Sequence, residues 1–297
     1  MQIKEISIND KEYPKRLRYI KNPPEILYVL GNTKILNDEG IAIIGSRCCT
    51  EGGRRNARVF AANIANAGLT VISGLAKGID VSAHIGALEV KGKTIAVLGN
   101  GPKYVFPPEN ADTYKNIIES GGAIVSEYPE DTEPSSDKFR QRNRIVSGLS
   151  EGVLIVEAEW RSGTSITARY AREQGKEVFC IANSRENRKG IGTNIQIQKG
   201  ATLVMEPKEV IQKYKANRIE QLTIEDLEIM QDKQENKLET VKEEYRAIYK
   251  ALAEEISLNE ISVKTKMEIS ELYEKLFLME MEGLIEVNQN KYKIKER

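Results

Sequence analysis

One histidine, one tryptophan and three cysteines in 297 residues leave little material for catalysis or metal binding. The histidine, His84, sits in a predicted helix beside Ile85, where a packed imidazole is the better expectation than a general base. No Ser-His pair, Walker motif, HExxH or nucleophile elbow appears, and GxGxxG is absent. Cys48 and Cys49 are adjacent, which makes neither a disulfide framework nor a zinc spacing. They read as small packed residues of a reduced, cytoplasmic protein. No apolar run approaches a membrane span, and the N-terminus lacks a signal-peptide core. Glu157 and Glu159 can share a strand face and hold a metal, but surface carboxylates are the better reading. No catalytic group, metal or cofactor is expected.

Net charge is also missing: 44 basic residues cancel 44 acidic ones, so the total argues nothing about nucleic acid. Its distribution is uneven. Residues 1–214 hold thirty basic against twenty-five acidic side chains, whereas 215–242 and 243–297 are both net acidic. An anion site, if present, belongs to the first part.

What is present is alternation. Short apolar runs at 41–44, 70–72, 94–98, 123–126, 153–157, 177–181 and 202–205 read as strands. Helical patterns fill the gaps at about 54–67, 79–90, 109–119, 138–149, 164–174, 193–199 and 207–214. This predicts an α/β fold with a doubly wound, mostly parallel sheet over 41–214. Residues 1–40 are expected to pack as an N-terminal segment on the core edge. Residues 215–242 are polar, without Gly or Pro, and read as a linker. In 243–297, three amphipathic helices and a terminal hairpin predict a small winged-helix domain.

The unusual residues of the large domain recur just after strands. Gly45-Ser46-Arg47 follows the run IAII, Ser73-Gly74-Leu75-Ala76-Lys77-Gly78-Ile79-Asp80 follows 70–72, Gly99-Asn100-Gly101 follows 94–98, and Glu127 follows 123–126. Ser162-Gly163 lies beyond 153–157, and Thr193-Asn194 opens a helix. In a parallel sheet the C-terminal strand ends share one edge, where backbone N–H groups and helix N-termini receive phosphate. Arg47 adds a forked cation. A tight turn with a surface Arg explains Gly45-Ser46-Arg47 equally well taken alone; the convergence of several such loops does not reduce to that.

Lys138-Phe139-Arg140-Gln141-Arg142-Asn143-Arg144 is the second signal. On a helix, Lys138 and Arg142 share a face, as do Arg140 and Arg144, with Phe139 beside Arg142. Cations next to a flat ring suit a single-stranded nucleic acid. A solvated basic helix end with Phe139 in the core suits the same pattern.

Taken in order, the stretches GSR, SGLAKGID, AVLGNG, SEYP, FRQRNRIVSGLS, VEAEWRSGTSITARYA and GTNIQIQKGA resemble the DNA processing protein A family (DprA/Smf) over about residues 10–205. The resemblance implies an extended Rossmann-like domain that binds single-stranded DNA, dimerises and hands the strand to the recombinase RecA during natural transformation. It implies no catalysis. Carried over by position, Gly45, Ser46 and Arg47 are the phosphate-binding motif, and Lys138, Phe139, Arg142 and Asn143 the stacking and basic group. Ser73, Gly74, Lys77, Gly78, Arg144, Ser162, Gly163, Thr193 and Asn194 complete the candidate site.

Two departures stand out. Ala182-Asn183-Ser184 replaces the family's usual Pro-Gly after a late strand. The third helix of the terminal unit carries Glu271, Glu274, Glu280 and Glu282 against Lys275, the wrong charge for a helix that reads the major groove. That unit is expected to serve protein contacts rather than to regulate duplex DNA. The rival reading of the large domain is a Rossmann-type protein that binds or hydrolyses one nucleotide.

Overall fold

A computed structural model describes residues 2–160, 162–214, 242–252, 256–282, 284–288 and 291–294. The chain divides into two compact units, Met1–Leu227 and Glu228–Arg297. The expected linker, 215–242, lies outside the described residues except for Lys242. Among the described residues no helix is long and apolar enough to cross a membrane.

The first unit is built on a nine-stranded sheet of order β1-β2-β6-β5-β4-β3-β7-β8-β9. Seven strands are parallel: β3 (Gly40–Ile44), β4 (Thr70–Ser73), β5 (Thr94–Leu98), β6 (Ala123–Ser126), β7 (Gly152–Ile155), β8 (Glu177–Ile181) and β9 (Thr202–Val204). Residues 1–40 contribute two further strands at one edge, β1 (Lys4–Ser7) and β2 (Ile26–Gly31), both antiparallel. Sequence reading placed this segment on the core edge but without strands, because the breaks at Tyr13-Pro14 and Pro23-Pro24 mask the short apolar runs.

Every residue of β3 is buried, as expected for a strand covered on both faces. Ile41 and Ile43 face the helices α1 (Glu51–Asn66) and α2 (Ile79–Glu89), packing with Phe60, Ile64 and Ala83. Ala42 and Ile44 face the other layer, with Val146 of α4 (Ser136–Leu149) and Ala168 of α5 (Gly163–Glu173). The period of two thus splits one strand between two cores. Helix α3 (Ala111–Glu119) covers β5 and β6 through Tyr114 and Ile117. Helices α6 (Ile191–Gln198) and α7 (Pro207–Tyr214) complete the unit.

The chain leaves β3 toward β4 on one side, and α4 brings it back to β7 on the other. The strand order therefore reverses between β3 and β7, whose ends are level, Ile44 opposite Ile155. A crevice opens beyond the C-terminal ends of such a pair.

In the second unit, α8 (Arg246–Ala251), α9 (Leu258–Thr265) and α10 (Ile269–Met281) enclose Ile248, Leu252, Ile261, Leu272, Leu276 and Met279. Strands β10 (Ile256–Ser257), β11 (Ile285–Asn288) and β12 (Lys291–Ile294) form an antiparallel sheet of order β10-β12-β11.

Candidate nucleic-acid interface

The crevice holds a cleft of about 520 Å³ whose lining includes Gly45, Ser46, Arg47, Phe139, Asn143 and Gly163. The turn after β3 is pinned from both flanks. From β7, the Glu157 carbonyl accepts the Ser46 N–H at 2.7 Å. The buried Glu157 carboxylate accepts the Thr50 N–H at 2.6 Å and the Asn187 amide at 2.7 Å. Thr50 in turn caps α1 by accepting the Gly53 N–H at 3.0 Å. That cap starts α1 at Glu51, three residues before its hydrophobic pattern is visible.

From the other flank, the Asp80 carboxylate accepts the backbone N–H groups of Gly45 and Ala76. Burial pushes its pKa up, against the opposing pull of Arg142. Gly78 takes φ +80°, and a Cβ there would lie 2.4 Å from the Ser46 carbonyl oxygen. Only glycine lets the two loops approach this closely. The turn is therefore preorganised, and its one cation is Arg47, exposed, in no direct ion pair among the described residues, and pulling on the Asp80 carboxylate from a distance.

Phe139 lies in the first turn of α4, half-buried. It stacks on Phe106 with centroids 5.4 Å apart and planes at 23°. The Arg47 guanidinium sits 5.4 Å from the Phe139 centroid and that of Arg142 6.0 Å. One cleft wall thus joins an exposed cation to a ring pair.

The basic segment does not act as one face. Arg142 is buried, donating to the carbonyls of Gly74 (2.8 Å) and Val97 and, through Nε, to Asn143 Oδ1 (3.2 Å). Burial lowers its pKa to about 10. Arg144 is buried against Glu127, with bonds of 3.1 and 2.6 Å. Neither is a free surface cation; both tie α4 to the sheet. Lys138 donates to the Glu133 carbonyl at 2.8 Å and lies over Tyr128, away from the cleft lining. Arg142 and Arg140 both line the cleft, Arg142 with its guanidinium tied to the sheet and Arg140 in a solvent-exposed pair with Asp137.

The remaining candidates divide in the same way. Gly74, Ser162 and Gly163 line the cleft. Ser73 is buried and donates to the Ile43 carbonyl at 2.6 Å. Lys77 pairs with Glu109, outside the lining. Thr193 is buried, donating to the Gly190 carbonyl, and Asn194 bonds the backbone of Asn183 at both its N–H and its carbonyl. These two hold the 182–190 loop rather than the cleft. Glu157 is committed to Thr50 and Asn187, and no cluster of three or more His, Cys, Asp or Glu side chains able to hold a metal occurs among the described residues. His84 is buried, its Nδ1 2.7 Å from Thr94 Oγ1.

Sequence reading missed Phe106; it picked out Asp80, Glu127 and Arg144 by position, but not that Asp80 holds the turn or that Glu127 pairs with Arg144. Phe106 lies in a loop with no periodicity to flag it. Asp80 and Glu127 each follow a strand end, the same signal that picked out their neighbours.

Fold and cleft together place the first unit in the Rossmann-like class, with an anion-ready turn at the strand-order switch. A family model described as DNA recombination-mediator protein A matches residues 4–215. The chain belongs to that family, as the motif resemblance implied. It is similar to protein Smf of Escherichia coli strain K12, 44% identical over 207 residues, covering 70% of this chain and 55% of that protein. DNA processing protein DprA of Streptococcus pneumoniae strain R6 is 38% identical over 208 residues, covering 70% and 73%. The chain thus spans little more than half of the Escherichia coli protein. Among solved structures, the Streptococcus pneumoniae DprA covers 72% of this chain and 75% of its own, with TM-score 0.68 and 36% identity. DNA processing protein A from Helicobacter pylori, described for its single-stranded DNA binding mode, covers 71% and 95%, with TM-score 0.64 and 31% identity.

Proposed function

We propose that the protein is a recombination mediator that binds single-stranded DNA in the β3/β7 cleft, protects it and passes it to RecA, acting in the cytoplasm as a homodimer and without turnover. The observation that carries this is the meeting of Arg47 with the Phe139–Phe106 stack beside a preorganised Gly45-Ser46 turn. A phosphate needs the turn and the cation, and a base needs the ring. The single-stranded DNA binding named for the Helicobacter pylori relative supports the same reading.

The second unit is read as a winged helix that contacts protein. Its α10 exposes Ile269, Tyr273, Phe277 and Met281 at four-residue spacing, flanked by glutamates. Lys275, the one cation on α10, pairs with Glu271 at 2.6 Å. Such a face repels phosphate and fits a basic, apolar surface of a protein partner.

Fluorescence anisotropy with oligo-dT of increasing length tests the reading. A strand binder gains affinity with length, and a truncation ending at Tyr214 keeps most of it. Saturation by a single nucleotide, or nucleotide hydrolysis abolished by Asp80→Asn, would instead favour the Rossmann nucleotide-binding alternative.

A further inference from the structure

The 182–190 loop, where this chain departs from the family's Pro-Gly, is not a loose rim. Asn183 donates from its side chain to Ile181 O (3.2 Å) and Thr193 Oγ1 (3.0 Å), and its backbone N–H donates to Asn194 Oδ1 (3.0 Å). Asn187 donates to Asn183 Oδ1 (3.1 Å) and to Glu157 Oε1 (2.7 Å), and accepts the Lys189 N–H (3.1 Å). The Asn187 N–H donates to the Ser184 carbonyl at 3.0 Å, closing the turn. A knot of asparagines therefore fastens this loop to the same Glu157 carboxylate that holds Thr50 and the Arg47 turn.

On that fixed loop stand Arg185, Arg188 and Lys189, all exposed and none in an ion pair among the described residues. One acid, Glu186, stands among them. The Glu157 carboxylate bonds both Asn187 of the loop and Thr50 at the N-cap of α1, so the loop and the start of α1 meet there. Three unpaired cations in five residues on a hydrogen-bonded frame form a built basic surface. It lies at the C-terminal edge of β8, next to β7 and β3, so it continues outward from the cleft.

Resting on the single-strand reading above, we propose that Arg185, Arg188 and Lys189 form a second phosphate-contacting surface, which engages the backbone of a strand running out of the cleft past the α1 N-terminus. The cleft grips one end of the path with a ring and Arg47. The loop adds charge without stacking, since it carries no aromatic residue. Bound strands long enough to span both surfaces gain affinity and salt dependence together, whereas strands confined to the cleft gain neither.

The test is the triple variant Arg185→Gln/Arg188→Gln/Lys189→Gln, which leaves every hydrogen bond of the asparagine knot in place. Its melting temperature should match the wild type. Binding of oligo-dT of about 6 and about 30 nucleotides is then measured between 50 and 200 mM salt. Three phosphate contacts steepen the slope of log K against log salt by about 2.1. The wild type should therefore lose about 18-fold more affinity for the long strand over that range than the variant does. The short strand should bind both proteins alike. Equal slopes for the long strand overturn the proposal while leaving the cleft reading intact. Equal losses for short and long strands overturn it too, because the cations then act within the cleft. A wild type that binds neither strand sinks the single-strand reading and this extension with it.

Discussion

Replacing Arg47 and Phe139 separately distinguishes charge from stacking, and the geometry sets different magnitudes for each. Arg47 is the exposed cation of the turn, so Arg47→Ala removes about one phosphate contact. That flattens the salt slope by about 0.7, a loss of roughly 2.6-fold in salt sensitivity between 50 and 200 mM. Phe139→Ala removes a base stack worth about 1–3 kcal/mol, roughly 5- to 150-fold in affinity, with the slope nearly unchanged. The two side chains touch, with the guanidinium 5.4 Å from the ring centroid, so their effects should not add. A double-mutant cycle should show coupling of about 0.5–1 kcal/mol. The stability cost of Phe139→Ala should fall short of the roughly 3–5 kcal/mol of a fully buried Phe, because the ring is only half-buried against Phe106. Anisotropy at four salt concentrations and thermal melts of all four proteins supply the numbers. A Phe139→Ala protein that melts as if a full core residue were lost, yet whose folded fraction binds normally, would show that Phe139 is packing alone. Equal slope changes for both single variants would refute the division into cation and platform.

Three further outcomes follow from the buried charges. Arg144→Met should leave the Glu127 carboxylate buried and unpaired, costing about 3–5 kcal/mol by urea unfolding; adding Glu127→Met should recover much of it, and a neutral single variant would contradict the pairing. Glu157→Gln places a donor where Glu157 now accepts from Thr50 and Asn187, and should cost about 1.5–3 kcal/mol; an unchanged unfolding midpoint would show that the carboxylate does not hold the turn. His84, with its pKa lowered to about 3 by burial and by Arg142, binds fewer protons in the folded chain than unfolded at about 6.5, so its contribution is fully present above pH 6.5 and is lost as pH falls toward 3, by up to about 1.4 kcal/mol per unit. As the single histidine, its NMR signals are assigned at once, and a titration near pH 6.5 in the folded protein would disprove the burial effect.

The parallel sheet was legible because its strands are apolar on both faces and short, as in Ile41–Ile44 and Val153–Ile155, and because each is followed by a helical period. Boundaries slipped by one to three residues at helix starts, at α1 because the Thr50 side chain caps it. Thr50 starts α1 three residues early, and Gly163 rather than Thr164 opens α5. Strands β1 and β2 were illegible because their pairing is antiparallel and nonlocal: Ile6 meets Leu27 across a segment broken by prolines.

The cleft was legible as a set of loops but not as a set of roles. Position after a strand identifies residues on the functional edge, and Gly45, Arg47, Phe139 and Gly163 are there. It does not say whether a polar side chain points outward or back. Arg142 and Arg144 look like free cations from their spacing, yet both turn inward because the sheet edge offers them buried acceptors: the Gly74 and Val97 carbonyls for one, the Glu127 carboxylate for the other. An acceptor left unmet at a buried strand end costs about 1–3 kcal/mol, and the bonds the two arginines make there offset part of the solvation they give up. So part of the basic residue count near the cleft is spent on holding its walls. The cations that stay exposed are Arg47 and Arg140 in the cleft and Arg185, Arg188 and Lys189 beyond it, and on the proposed reading these are the ones a strand would meet.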